Sequence, residues 1–165
     1  MADGRAVIRD AVATWFAPPN VAGLNKVFTG MPKEIVEQEF FTSVAAGTPS
    51  AAIAYVDITN DKEERIATGY KRLTASTWLV VKFMSNRDKS EDAIADHDAL
   101  VDAIKARLRG PDGRTLGGKV FSAGEGDQLG APDVEVDGGS PTLVEETTWI
   151  WCAVKFTTVV MLPGT

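Results

Sequence analysis

Two runs constrain the fold of this chain more than any other feature. Thr77 to Phe83 reads TWLVVKF, and Thr148 to Phe156 reads TWIWCAVKF. Each opens on Thr-Trp, closes on Val-Lys-Phe and is apolar between. In an extended chain successive side chains point to opposite faces. Trp78, Val80 and Lys82 therefore share one face, and Leu79, Val81 and Phe83 the other. In the second run Trp149, Trp151, Ala153, Lys155 and Thr157 lie opposite Ile150, Cys152, Val154, Phe156 and Thr158. Both faces are apolar, so the sheet these strands build has to be covered on both sides. Their similarity implies neighbouring strands that pair wide aromatic residues. It is too short for a repeat architecture. The lysines are expected to pack their stems and carry their ammonium groups to a rim or an acidic partner.

The remaining pattern supplies helices. Val7, Ile8, Ala11, Val12 and Trp15 recur at helical spacing from Ala6 to Phe16, with Asp3 as cap and Pro18-Pro19 as terminator. A second helix is expected from Ser90 to Leu108, with Ser90 as cap. Ile94, His97, Val101, Ile104 and Leu108 form its stripe, and Gly110-Pro111 ends it. Ala51 to Ile58 reads as a strand, Lys26 to Phe28 as a short one, and Asn60 to Arg65 as a charged loop or turn. Arg65 to Tyr70 returns as a weak strand interrupted by Gly69. A helical turn near Pro32 to Glu34 and an irregular link precede a loop over Ala45 to Ser50. Residues Pro111 to Pro141 are rich in glycine, with short strands at Lys119 to Phe121 and Val134 to Val136. A long strand over Thr142 to Leu162 closes the chain. These elements define an α+β fold: a mainly antiparallel or mixed β-sheet, two helices packed on one face, and a long glycine-rich excursion before the C-terminal strand. We expect one domain over 1–165, with the excursion as a loop insertion at about 110–141.

Composition narrows the function. With 165 residues, 44% of them hydrophobic and 24% charged, the chain has enough apolar material for a core and is not globally disordered. No apolar run approaches the roughly 20 residues of a membrane helix, and Met1 to Arg5 has no signal-peptide core. A soluble product of the cytoplasm without membrane contact is expected. A net charge of −6 argues against a surface built to grip phosphates, although an acidic wall suits a channel through which DNA slides without sticking. Cys152, the only cysteine, reads as a small core hydrophobe rather than a nucleophile. His97, the only histidine, reads as a core-edge residue rather than a ligand. No nucleophile elbow, metal spacing, dinucleotide fingerprint or HExxH is present. The carboxylate pairs Glu63-Glu64 and Glu145-Glu146 would point to opposite faces of a strand. Gly124 to Gly130 (GEGDQLG) fits neither a phosphate loop nor a calcium loop. No catalytic residue, cofactor or metal is expected.

The layout AVIRDAVATWF, PSAAIAYVDI, STWLVVKFM, EDAIADHDALVDAIKARL, ETTWIWCAVKFTTVVM resembles the tail terminator proteins of long-tailed (siphovirus-like) bacteriophages over most of the chain. The resemblance implies a non-enzymatic virion protein. It would form a homo-oligomeric ring, expected to be a hexamer, that caps the tail tube and joins it to the head–tail connector or stopper protein. Its place would be the phage tail or neck, assembled in the host cytoplasm, with DNA passing through without specific binding. The excursion is longer than the family pattern implies. Two other readings stand beside it: a tail-tube or head–tail connector subunit, and a small ligand-binding or enzymatic α+β domain. For the ring, the candidate channel-facing acids are Asp57, Asp61, Glu63 and Glu64, with Asp133, Glu135 and Asp137 as a second set. Candidate contacts between subunits or rings are Gly118, Phe121, Gly124, Gly126, Leu129, Lys82 and Lys155.

Overall fold

The computed structural model describes residues 3–33, 39–42, 48–124 and 134–163. The first helix, α1, runs Gly4–Phe16, and the side chain of Asp3 caps it by accepting from the Arg5 amide. The short strand β1 (Lys26–Phe28) lies parallel to β2 (Ser50–Ala67). Next come β3 (Tyr70–Ser85) and the helix α2 (Ser90–Arg109). A 3-10 turn (Gly113–Thr115) leads to β4 (Ser122–Ala123), β5 (Glu135–Val144) and β6 (Thr147–Pro163). The fold is α+β, with one mixed six-stranded sheet ordered β1-β2-β3-β6-β4, and with β5 also paired to β6.

α1 and α2 bury their apolar stripes on one face of this sheet. Ile8, Val12 and Phe16 from α1, with Leu100, Ile104 and Leu108 from α2, meet Ala54, Val56, Leu79, Val81, Cys152 and Val154. A reciprocal clasp joins the helices: the Trp15 indole donates to the Arg107 carbonyl at 3.3 Å, and the Arg107 guanidinium donates to the Trp15 carbonyl at 3.1 Å while lying 3.6 Å over the ring. At the other end of α2, Asp96 accepts from Ser50 and Arg87, each at 2.8 Å, and so ties the helix to the starts and ends of two strands.

Several boundaries differ from those read in the sequence. The charged stretch Asn60 to Arg65 is strand, not turn; β2 continues to Ala67 and reverses through Thr68-Gly69 into β3. Gly69 takes φ +85, which an L side chain rarely adopts. β3 begins at Tyr70 rather than Ser76. The pairing slips between Ile58 and Asn60, a bulge that re-aims every following side chain of β2. Residues 119–121 are not a strand; Ser122–Ala123 is. The final strand begins at Thr147, because Glu145-Glu146 turn the chain back from β5, and β5 takes up the end of the expected loop. α2 has no side-chain cap at Ser90; Lys89 holds that position. Residues 39–42 are helical and lie on the face opposite α1 and α2, where Phe41 meets the Trp149 ring edge-on at 5.2 Å.

Candidate functional site

The face away from α1 and α2 holds what the two similar runs were built for. β3 and β6 are antiparallel, and their register places Trp78 opposite Lys155 and Lys82 opposite Trp151. The expected aromatic–aromatic pairing therefore does not form. The two Thr-Trp…Val-Lys-Phe runs instead set each lysine across from a tryptophan. The Lys155 ammonium lies 4.0 Å over the Trp78 ring, and Lys82 lies 5.9 Å over Tyr55 of β2. Lys26 repeats the arrangement over Phe28, at 5.1 Å. A cation over an aromatic face is stabilised by the ring quadrupole, by about 0.5–1 kcal/mol at such semi-exposed positions. Tyr55, Val80 and Ala153 are buried on this face, with Phe28 and Trp78 packed against them. Lys155 also pairs with Asp137 of β5, so its acidic partner is in its own chain. Trp151, near the start of β6 on this face, remains 45% exposed.

The four candidate channel acids do not share a face. Asp57 is opposite Trp78 and so lies on the lysine–aromatic face. After the bulge, Asp61 and Glu63 pair with Ala75 and Leu73 on the helix side, whereas Glu64 pairs with Arg72 on the other. Three of the four are in ion pairs. Asp61 accepts from Arg5 at 2.6 and 3.0 Å, and that hydrogen-bonded pairing lowers its pKa. Glu63 meets Lys71 at 2.8 Å. Glu64 meets Arg72 and Lys62, each at 2.7 Å; the Arg72 hydrogen bond first and Lys62 second hold its carboxyl down at about 2. A channel lined by this hairpin would present balanced pairs, not a bare acidic wall. In the second set, Glu135 and Asp137 lie on β5 and Asp133 falls outside the described residues.

Of the candidate contacts, Gly118 and Phe121 are exposed, Phe121 to 63%. Gly124 is buried and its amide donates to the Thr157 carbonyl at 2.7 Å, so it serves the sheet instead. Gly126 and Leu129 lie outside the described residues. Lys82 and Lys155 are half-buried.

Cys152 is fully buried, and burial pushes its thiol up to about 11, so it stays protonated. His97 is 3% exposed, with Phe83 edge-on at 5.4 Å, and its Nε2 has no hydrogen-bond partner among the described residues. Burial lowers its pKa from 6.5, outweighing the pull of Asp98. The folded state thus resists a proton that the unfolded chain accepts. Stability should be full above about pH 6.5 and fall as pH drops below it, before the carboxylates titrate. Thermal melts against pH should show this decline, and His97→Leu should remove it. A His97→Leu profile identical to that of the parent would exclude the assignment.

Among the described residues, no group of three or more His, Cys, Asp or Glu is placed to hold a metal, and no helix is long and apolar enough to cross a membrane. Compared with protein families and characterised proteins, the chain matches no family model and no characterised sequence.

Proposed function

We propose that the protein is a structural subunit of a phage virion, a tail terminator that closes into a ring on the end of the tail tube and joins it to the head–tail connector or stopper. The observation that carries this reading is the lysine–aromatic face. The sheet is apolar on both sides: α1 and α2 cover one, and on the other Phe28, Trp78 and Trp149 are half-buried, Tyr55 is buried, Phe41 packs on Trp149, and Trp151 stands 45% exposed. Surfaces of this kind mark contacts with other proteins, and aromatic side chains dominate the energetics of such contacts. A neighbouring subunit seated here would bury Trp151. The buried, protonated Cys152 and the enclosed His97 are poor catalytic groups, which agrees with a structural role and not an enzymatic one. DNA would pass through the ring without specific binding, past charges that are already paired.

A tube subunit is the second reading, favoured by strands of 16 to 18 residues, three times the usual length. Light scattering after size exclusion, with negative-stain images, tests both. Single closed rings, expected to be hexamers, support the terminator; stacked rings support the tube subunit. Trp151→Glu should leave the fold intact and the protein monomeric. A parent protein that stays monomeric at all accessible concentrations would overturn both readings.

A further inference from the structure

His97 is enclosed by α2, β3, β6 and β5, and among the described residues none of them offers its Nε2 a hydrogen bond. One turn away on α2 its neighbours are Ala93, Ile94, Leu100 and Val101, all apolar. β3 supplies Phe83, edge-on at 5.4 Å, and β6 sets Ile150 opposite Phe83 in the same core cluster. β5 supplies Gly139, where a Cβ would stand 4.0 Å from the His97 Cε1. Among the described residues the one charge that acts on the ring is Asp98, whose Oδ1 lies 3.9 Å from Nδ1 and whose side chain is 72% exposed.

These walls are not equally firm. β3 and β6 are each paired on both sides. α2 is tied at one end by Asp96 to Ser50 and Arg87, and at the other by Arg107 to Trp15. β5 pairs with β6 alone, and its register slips between Gly138 and Pro141, so that Gly139 and Ser140 both oppose Trp151. Such a bulge disrupts the ladder locally. Gly138 and Gly139 take φ +85 and +101, and Pro141 has no amide to give. A Cβ on Gly138 would stand 3.0 Å from the Trp151 ring, so that ring rests against the same segment.

We propose that the bulge of β5 at residues 138–141 is an acid-released latch over His97: when the ring becomes an imidazolium, this segment lifts from β6 and admits water, while the central strands stay paired. Both nitrogens of an imidazolium donate, and a buried cation without acceptors is costly. Asp98 answers Nδ1 alone, and from the solvent side. The wall that yields is the one with the weakest pairing, because local openings are drawn from such segments. Once open, His97 titrates near its ordinary value of about 6.5, whereas burial holds it lower in the closed form. The latch is therefore shut above that pH and loosens as the pH falls below it, by up to about tenfold per unit. Opening also rearranges the surroundings of Trp151, on which the proposed subunit contact rests. The latch is nevertheless a property of the single chain, and its test needs no ring.

The test is amide hydrogen exchange of the full chain, read by peptide and corrected for the intrinsic pH dependence of exchange. Between about pH 7.5 and about pH 5, amides at 136–144 should lose protection by roughly 10- to 30-fold. Amides at 79–83, in the middle of β3, should stay unexchanged at times when those of β5 have exchanged fully. In His97→Leu the β5 difference between the two pH values should vanish. His97→Gln, which is polar but takes up no proton in this range, should behave in the same way and serves if the leucine variant does not fold. The proposal is overturned if β5 of the parent is equally protected at both pH values, if the difference persists in either neutral variant, or if 79–83 exchanges together with β5, which would be unfolding of the whole domain.

Discussion

Ile104→Asp should abolish folding. Ile104 is fully buried on α2, in the cluster formed by both helices and the sheet. An aspartate there meets only apolar neighbours, and an isolated buried charge costs several kcal/mol even after the site relaxes. The isoleucine contacts are lost as well, a further 2 kcal/mol or more by analogy with truncation to alanine. The sum is comparable to the whole stability of an ordinary domain, about 5–15 kcal/mol. The variant should be insoluble or lack a cooperative melt. Ile104→Val should fold and lose about 1 kcal/mol, because it removes one methylene and introduces no charge. A soluble Ile104→Asp protein that melts like the parent would mean that α2 presents a different face to the sheet.

The helices and the core strands were legible because their residues obey one period each. The stripe Val101, Ile104, Leu108 and the alternation along Trp78 to Phe83 could hardly be read otherwise, and the structure keeps both. What failed depended on information that lies between strands. Asn60 to Arg65 has no apolar alternation because it forms an exposed hairpin arm held by cross-strand ion pairs, a pattern that looks like a loop until Lys71 and Arg72 are known to be opposite. The bulge after Ile58 then reverses the faces, and no local residue announces it. That slip alone separates Asp57 from Asp61 and removes the shared acidic wall. β5 was hidden for another reason. Gly138, Gly139 and Pro141 argue against a strand, yet the outer position of β5 on the sheet and a slip in its pairing accommodate them. The lysine–aromatic face needed only one further step, the direction of β6 relative to β3. Parallel strands would have stacked tryptophan on tryptophan; antiparallel strands place lysine across from it.

The second large effect is expected at Gly113, where the chain leaves α2 and enters the 3-10 turn. Gly113 is buried, and its backbone runs close beneath the end of the helix. A Cβ added there would stand 2.1 Å from the Leu108 carbonyl oxygen and 2.7 Å from that of Arg107. Both obstacles are backbone atoms of α2, so no side chain can swing aside. The turn or the last turn of the helix has to move. Leu108 is nearly fully buried and Arg107 clasps Trp15, so a shift at this end strains the core and the joint between the helices together. Overpacking of this kind costs about 1–3 kcal/mol, and the upper end applies where the neighbours are rigid. Gly113→Ala should therefore lower the melting temperature by roughly 6–12 °C in a chain of this size. Gly118→Ala is the matched control, because its Cβ would meet nothing within 4 Å and only its positive φ resists the change. A loss at Gly113 no larger than at Gly118 would show that the helix end yields freely, and the close approach would then carry no structural weight.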